Sequence, residues 1–179
     1  MKTLVKVVLL LATVVLCLTP NLALAADPGD SNSTCNISVT VSTIMEWAGN
    51  FTDITLTTIS AQTDTPDSNE TQTLYTNCNL TIDADQTTTA QLSSATDTLV
   101  TKYKLIYDGD GASATGGTDV SSWTDYNSFL GTPSAVTHID GDGAVDVTLH
   151  VQASNNAGEV ADAGSYTAVQ TLTASWTSD

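Results

Sequence analysis

The sequence predicts an all-β domain, an antiparallel β-sandwich of about seven strands, preceded by a cleaved signal peptide. Three observations predict it. β-branched residues are abundant, with Thr and Val prominent beside Ser, Asp and Ala. Segment after segment alternates apolar and polar residues with a period of two. Clusters of Gly, Asp and Asn separate those segments, and no long stripe of helical period interrupts them. No repeat of 20–50 residues divides the chain.

The first element is a leader. Lys2 and Lys6 precede the apolar run Leu4–Leu18, and Ala23-Leu24-Ala25 forms an A-x-A cleavage site. Residues 1–25 are therefore expected to be removed, leaving residues 26–179 as one β-sandwich domain. Cys17 raises the question of lipidation, but Leu16 stands where a lipobox carries a small residue. Nothing in residues 26–179 is long and apolar enough to span a bilayer.

Residues 26–34 are polar. Asn36–Trp47 then alternates, with Ile37, Val39, Val41, Met45 and Trp47 on one face. Asp53–Ser60 is a second candidate strand, with Ile54 and Leu56 inward. Pro66–Thr71 is polar and reads as a loop. Leu74–Ala84 places Leu74, Cys78, Leu80, Ile82 and Ala84 together. Thr98–Tyr107 sets Leu99, Tyr103, Leu105 and Tyr107 against Lys102, Lys104 and Ile106.

Asp108–Gly117 has loop composition. In Val120–Phe129 the spacing of Trp123, Tyr126 and Phe129 fits either a helical turn or irregular packing. Ala144–Ser154 is the cleanest strand, with Val145, Val147, Leu149, Val151 and Ala153 inward. Asn155–Gly164 is a loop, and Ser165–Trp176 closes the chain with Tyr166, Leu172 and Trp176 in phase.

Charge narrows the function. The formal net charge is −16, and losing Lys2 and Lys6 makes it −18. Only Lys102 and Lys104 then remain, with no Arg. A nucleic-acid binder needs cations to neutralise phosphates, so that class is excluded. An anionic membrane surface is disfavoured for the same reason. Cys35 and Cys78 are an even pair in an exported chain, which reads as a disulfide. Closing that loop is worth roughly 4 kcal/mol on the chain-entropy model.

Candidate chemistry is sparse. Asp108, Asp110 and Asp119 lie in one Asp-Gly-rich stretch, and Asp140, Asp142 and Asp146 in or beside another. Calcium takes six to eight oxygens, so a calcium site is one reading, but the EF-hand positions are filled by Ala112, Ser113, Ala144 and Val145. Tight turns are the other reading, since Asp-Gly favours them. His138 and His150 fall before a turn and on an outward strand face, and neither G-x-S-x-G nor H-E-x-x-H occurs. Glu46 beside Trp47 alternates onto the polar face. Trp47 and Trp176 read as core or core-edge residues, whereas Trp123, in a polar stretch, is the candidate ligand platform. Sequons begin at Asn32, Asn36, Asn50, Asn69 and Asn79.

Three motifs together resemble spore coat protein U and the chaperone–usher pilin-like secreted β-sandwiches. They are the Cys35/Cys78 spacing with "LYTNCNLTIDAD" (Leu74–Asp85), "LVTKYKLIYDGD" (Leu99–Asp110) and the closing "AGSYTAVQTLTASW" (Ala163–Trp176). The resemblance implies an Ig-like sandwich, export, and non-catalytic assembly into a cell-surface fibre, coat or matrix by strand pairing with itself or with other fibre subunits. In such pilins a neighbour's extended strand fills an open groove. The chain departs from that pattern in one place. Residues 26–34, "ADPGDSNST", lack the alternating apolar residues of a donor arm. The expected function is thus a secreted structural subunit. A secreted calcium- or carbohydrate-binding module and a secreted hydrolase are the alternatives.

Overall fold

A computed structural model describes residues 31–179. The predicted leader lies outside the described residues. Every described strand falls within one compact unit, Val41–Asp179, which is separate from the described residues before it. The protein is all-β apart from one 3-10 turn, Thr88–Ala90.

Among the described residues, nine strands build two antiparallel sheets. They are β1 (Met45–Trp47), β2 (Asp67–Thr76), β3 (Asn79–Ala84), β4 (Val100–Tyr107), β5 (Gly116–Gly117), β6 (Val120–Asp125), β7 (Ser134–Thr137), β8 (Ala144–Ser154) and β9 (Leu172–Ser178). One sheet has the order β1-β2-β8-β4-β6, the other β5-β7-β3-β9. From β2 onward every successive strand lies in the opposite sheet. The chain therefore laces the sandwich shut, and almost every ladder joins segments distant in sequence.

The centre of the larger sheet follows directly from alternation. β8 buries Val145, Val147, Leu149, Val151 and Ala153. β4, paired with it from Val100↔Ser154 to Tyr107↔Val147, buries Thr101, Tyr103, Leu105 and Tyr107. The smaller sheet contributes Leu80, Ile82 and Val136, and Phe129 fills the space beside Tyr103 at 5.4 Å between ring centroids. The Tyr103 hydroxyl donates to the Ala90 carbonyl at 2.6 Å, so its one polar group is satisfied inside the core.

Several expectations are corrected. Asn36–Trp47 is not one half-buried strand: only Met45–Trp47 enters a ladder, against Leu74–Thr76, while Ile37, Val39 and Val41 stay exposed. Asp53–Ser60 is not a strand. Ile54 and Leu56 pack against the core, but the backbone joins no ladder. Pro66–Thr71 is not a loop, because Asp67–Thr76 pairs with β8 throughout from Asp67↔Gln152 to Tyr75↔Ala144. Its polar composition misled because its inward Ser68, Glu70 and Gln72 are only partly covered.

Leu74–Ala84 is two strands in different sheets, hinged at Asn77-Cys78, although both halves keep the predicted inward phase. Val120–Phe129 begins as strand β6 and ends in a turn that buries Phe129. Trp176 lies on edge strand β9 and is 55% exposed, so it is not a core residue. Trp47 does pack partly on the core, 5.7 Å from Phe51 between ring centroids.

Cys35 and Cys78 are each a free thiol, and among the described residues no disulfide is formed where one was expected. Cys35 is exposed, whereas Cys78 is fully buried. Its sulfur lies 3.4 Å from the Thr76 hydroxyl and 3.7 Å from the Ile44 carbonyl. Cys78 thus serves as a small core residue at the crossing between sheets.

Candidate functional site

The principal candidates are two stretches of unpaired backbone and, separately, one bare arm. The arm is Asn36–Val41. It keeps the two-residue alternation of a strand, but Ile37, Val39 and Val41 are 91%, 88% and 69% exposed. Single exposed apolar residues are ordinary, whereas three at alternate positions of one segment outside any ladder are a feature that strand pairing can use. Ser31–Met45 contains no charged residue, in a chain with 20 Asp and Glu. Just beyond the arm, Asn77 clamps the chain: its amide donates to the Ser42 carbonyl at 3.0 Å and its oxygen accepts from the Ile44 N–H at 2.6 Å.

The bare edges flank a cleft of about 1030 Å³. Ile54, Leu56 and Ile59 line one side, Tyr166 and Ala168 the other, with Leu99 among its walls. Among the described residues, no backbone group of residues 53–59 enters a hydrogen bond. On the other side, Thr167 exchanges two bonds with Ser93, Val169 donates to Thr89, and Thr171 accepts from Asp85. In an extended chain the alternate residues point the opposite way. Those residues, Tyr166, Ala168 and Gln170, make no backbone bond among the described residues. The Gln170 side-chain nitrogen is buried there without a partner. Backbone groups seek partners, so two unpaired stretches beside a cleft of mixed polar and apolar lining leave space of the kind a strand fills.

The Asp-rich stretches behave as turn chemistry. Asp108 accepts from the Asp146 N–H at 2.8 Å, Asp119 from the Tyr107 N–H at 2.9 Å, and Asp142 from the Thr115 N–H at 2.7 Å. Asp146 accepts from the Thr73 hydroxyl at 2.6 Å. Asp110 accepts from the Ser113 and Ala112 N–H groups, both at 2.9 Å, and those bonds hold its carboxyl down to about 2. Asp140 is exposed. Among the described residues no three His, Cys, Asp or Glu side chains gather as a metal would require. The glycines of this loop have a steric role. A Cβ on Gly109 or Gly116 would collide with backbone on the facing strand of the loop, Thr115 in one case and Gly109 in the other.

The histidines do not meet. His138 lies 3.4 Å from the Thr115 hydroxyl through Nδ1, and its N–H donates to Asn79. His150 stands on the outward face of β8, with its ring edge toward Trp123 at 6.4 Å. Burial, then the nearby Lys104 charge, lowers its pKa, against the opposing effect of Asp67. Among the described residues neither histidine hydrogen-bonds a carboxylate. Trp123 is on β6, half-buried, with the Lys104 ammonium 4.2 Å from its ring centroid. Glu46 is exposed on β1.

Sequence reasoning named Trp123 as a candidate platform and did not foresee the arm or either edge. The signal for the arm was its alternation combined with an unbroken absence of charge. The edges had no local signal, because they are defined by partners that never arrive. Compared with protein-family models and with curated proteins, the chain matches none.

Proposed function

We propose that this protein is a secreted, non-catalytic structural subunit of a cell-surface fibre, coat or matrix, and that its copies join by strand pairing. The observation that carries the reading is the arm: Ile37, Val39 and Val41 occupy alternate positions of an exposed segment that joins no ladder among the described residues. The arm of one copy enters the cleft of the next. It hydrogen-bonds along residues 53–59 and along the free edge at Tyr166–Gln170, and its apolar side chains cover Ile54, Leu56 and Leu99. From Ile37 to Val41 an extended chain advances about 13 Å, which suits the short bare edges. A neutral arm lets two strongly acidic bodies meet without a charge of its own opposing the contact.

The test is sedimentation and negative-stain imaging of the secreted chain over a concentration series. Chains or filaments should grow with concentration, and Val39→Asp should leave monomers of unchanged melting temperature. Monomers at every concentration and salt strength, or filaments equally abundant in V39D, would refute the reading.

A further inference from the structure

The outward face of the five-stranded sheet carries a second feature, independent of the arm. The register places Lys104 opposite His150, and His150 opposite Asn69. One step along the strands, Lys102 lies opposite Gln152, and Gln152 opposite Asp67. Trp123 of β6 flanks the first row, under the Lys104 ammonium. Thr71 and Thr148 share a hydrogen bond at 2.8 Å on the next step.

Both lysines of the described residues stand on this face, beside the carboxylates of Asp67, Asp125 and Asp146. Lys102 pairs with Asp125 at 3.8 Å. Lys104 has no carboxylate within 4.0 Å among the described residues, although the chain holds 20 acidic side chains. The ammonium is instead held by the face of an indole, with an imidazole beside it. It is a free cation set beside an aromatic surface, at the end of a row of amide, imidazole and hydroxyl groups.

We propose that this face binds an acidic sugar, a uronate unit of a polysaccharide, with Trp123 stacking on the sugar ring and Lys104 meeting its carboxylate. The indole supplies an apolar plane for the C–H face of a pyranose. His150 and Asn69 present donors and acceptors for ring hydroxyls, as oriented polar groups do in sugar sites. A carboxylate of another copy of this chain would satisfy the ammonium, but it would not use the plane or the polar row. The acidic sugar uses all three.

The test is titration of the full secreted chain with a defined oligogalacturonate, followed by calorimetry and amide NMR, beside a neutral oligoglucoside of equal length. The acidic oligomer should bind saturably and shift the amides of β4, β6 and β8. Lys104→Gln should weaken it about five-fold without moving the melting temperature, as expected for one charge-assisted contact at a surface. Trp123→Ala should weaken it as well, but K104Q is decisive because it removes the charge while keeping most of an outward-facing side chain. V39D should bind like the parent, so a failed assembly experiment leaves this result standing. Equal affinity for the neutral oligomer, unchanged binding in K104Q, no saturation by about 10 mM, or a K104Q effect confined to self-association would each overturn the proposal.

Discussion

Ala144–Ser154 and Asn36–Val41 have the same sequence grammar and opposite fates. Both alternate β-branched or apolar residues with polar ones. β8 lies between β2 and β4, and Val145, Val147 and Leu149 are sealed beneath the smaller sheet. The arm has no ladder, and Ile37 and Val39 are almost wholly exposed. The difference teaches that alternation specifies a strand's faces, whereas a partner on each edge decides whether the strand is buried. On the proposed function, the bare segment and the unpaired stretches are the parts that a second copy would pair.

The sharpest way to break the comparison is to make one substitution in both places. Val147→Asp puts an unpaired carboxylate where no water reaches, and should cost at least about 4 kcal/mol or prevent folding. Val39→Asp should change monomer stability by less than about 0.5 kcal/mol, because its site is already wet. Denaturant midpoints measured in dilute solution check both. A large loss in V39D under those conditions would mean that the arm is buried in the monomer after all.

Next in size is Leu105→Ala, in the fully buried row of β4, with an expected loss of about 3 kcal/mol in urea unfolding. Gly116→Ala follows. Its Cβ would meet the backbone of Gly109, so β5 must shift, and a loss of about 1–3 kcal/mol should appear as a lower melting temperature. This variant sharpens the comparison from the other side, since β5 is a two-residue edge that holds its place by close backbone approach.

The smallest effect concerns the core tyrosines. Burial, chiefly, raises Tyr103 and Tyr107 from the ordinary value near 10 to about 12. The unfolded chain gives up these protons first, so their contribution is full below pH 10 and is lost as pH rises from 10 toward 12. Tyr103→Phe should cost about 1 kcal/mol at neutral pH through the lost bond to Ala90. It should also flatten the alkaline loss of stability, read from urea midpoints at pH 9 and pH 11. An identical alkaline slope in parent and Y103F would reject that origin.

The fold was legible in the sequence wherever a strand ended up central. The inward residues of β4 and β8, and of β3 after its corner, follow from periodicity because both edges are paired and one face is dry. Legibility failed at the margins. β2 begins in a stretch that composition marks as a loop, because pairing with β8 stabilises a backbone whose inward Ser68 and Glu70 have little to pack against. β5 is two glycines, invisible to any pattern. At Lys104, one alternating strand showed that the ammonium points outward, but not that Trp123 and His150 arrive beside it from two other strands.

The sequence by itself determined the all-β class, the acidic surface, the inward faces of the central strands and the turn chemistry of the Asp-Gly stretches. Those properties are set by covalent geometry and by local side-chain chemistry. Only the tertiary structure decided which alternating segments found partners and that the cleft lies between two stretches of unpaired backbone. Hydrogen bonding between strands is a property of pairs of segments far apart in the chain, and no single segment carries the information about whether its partner comes.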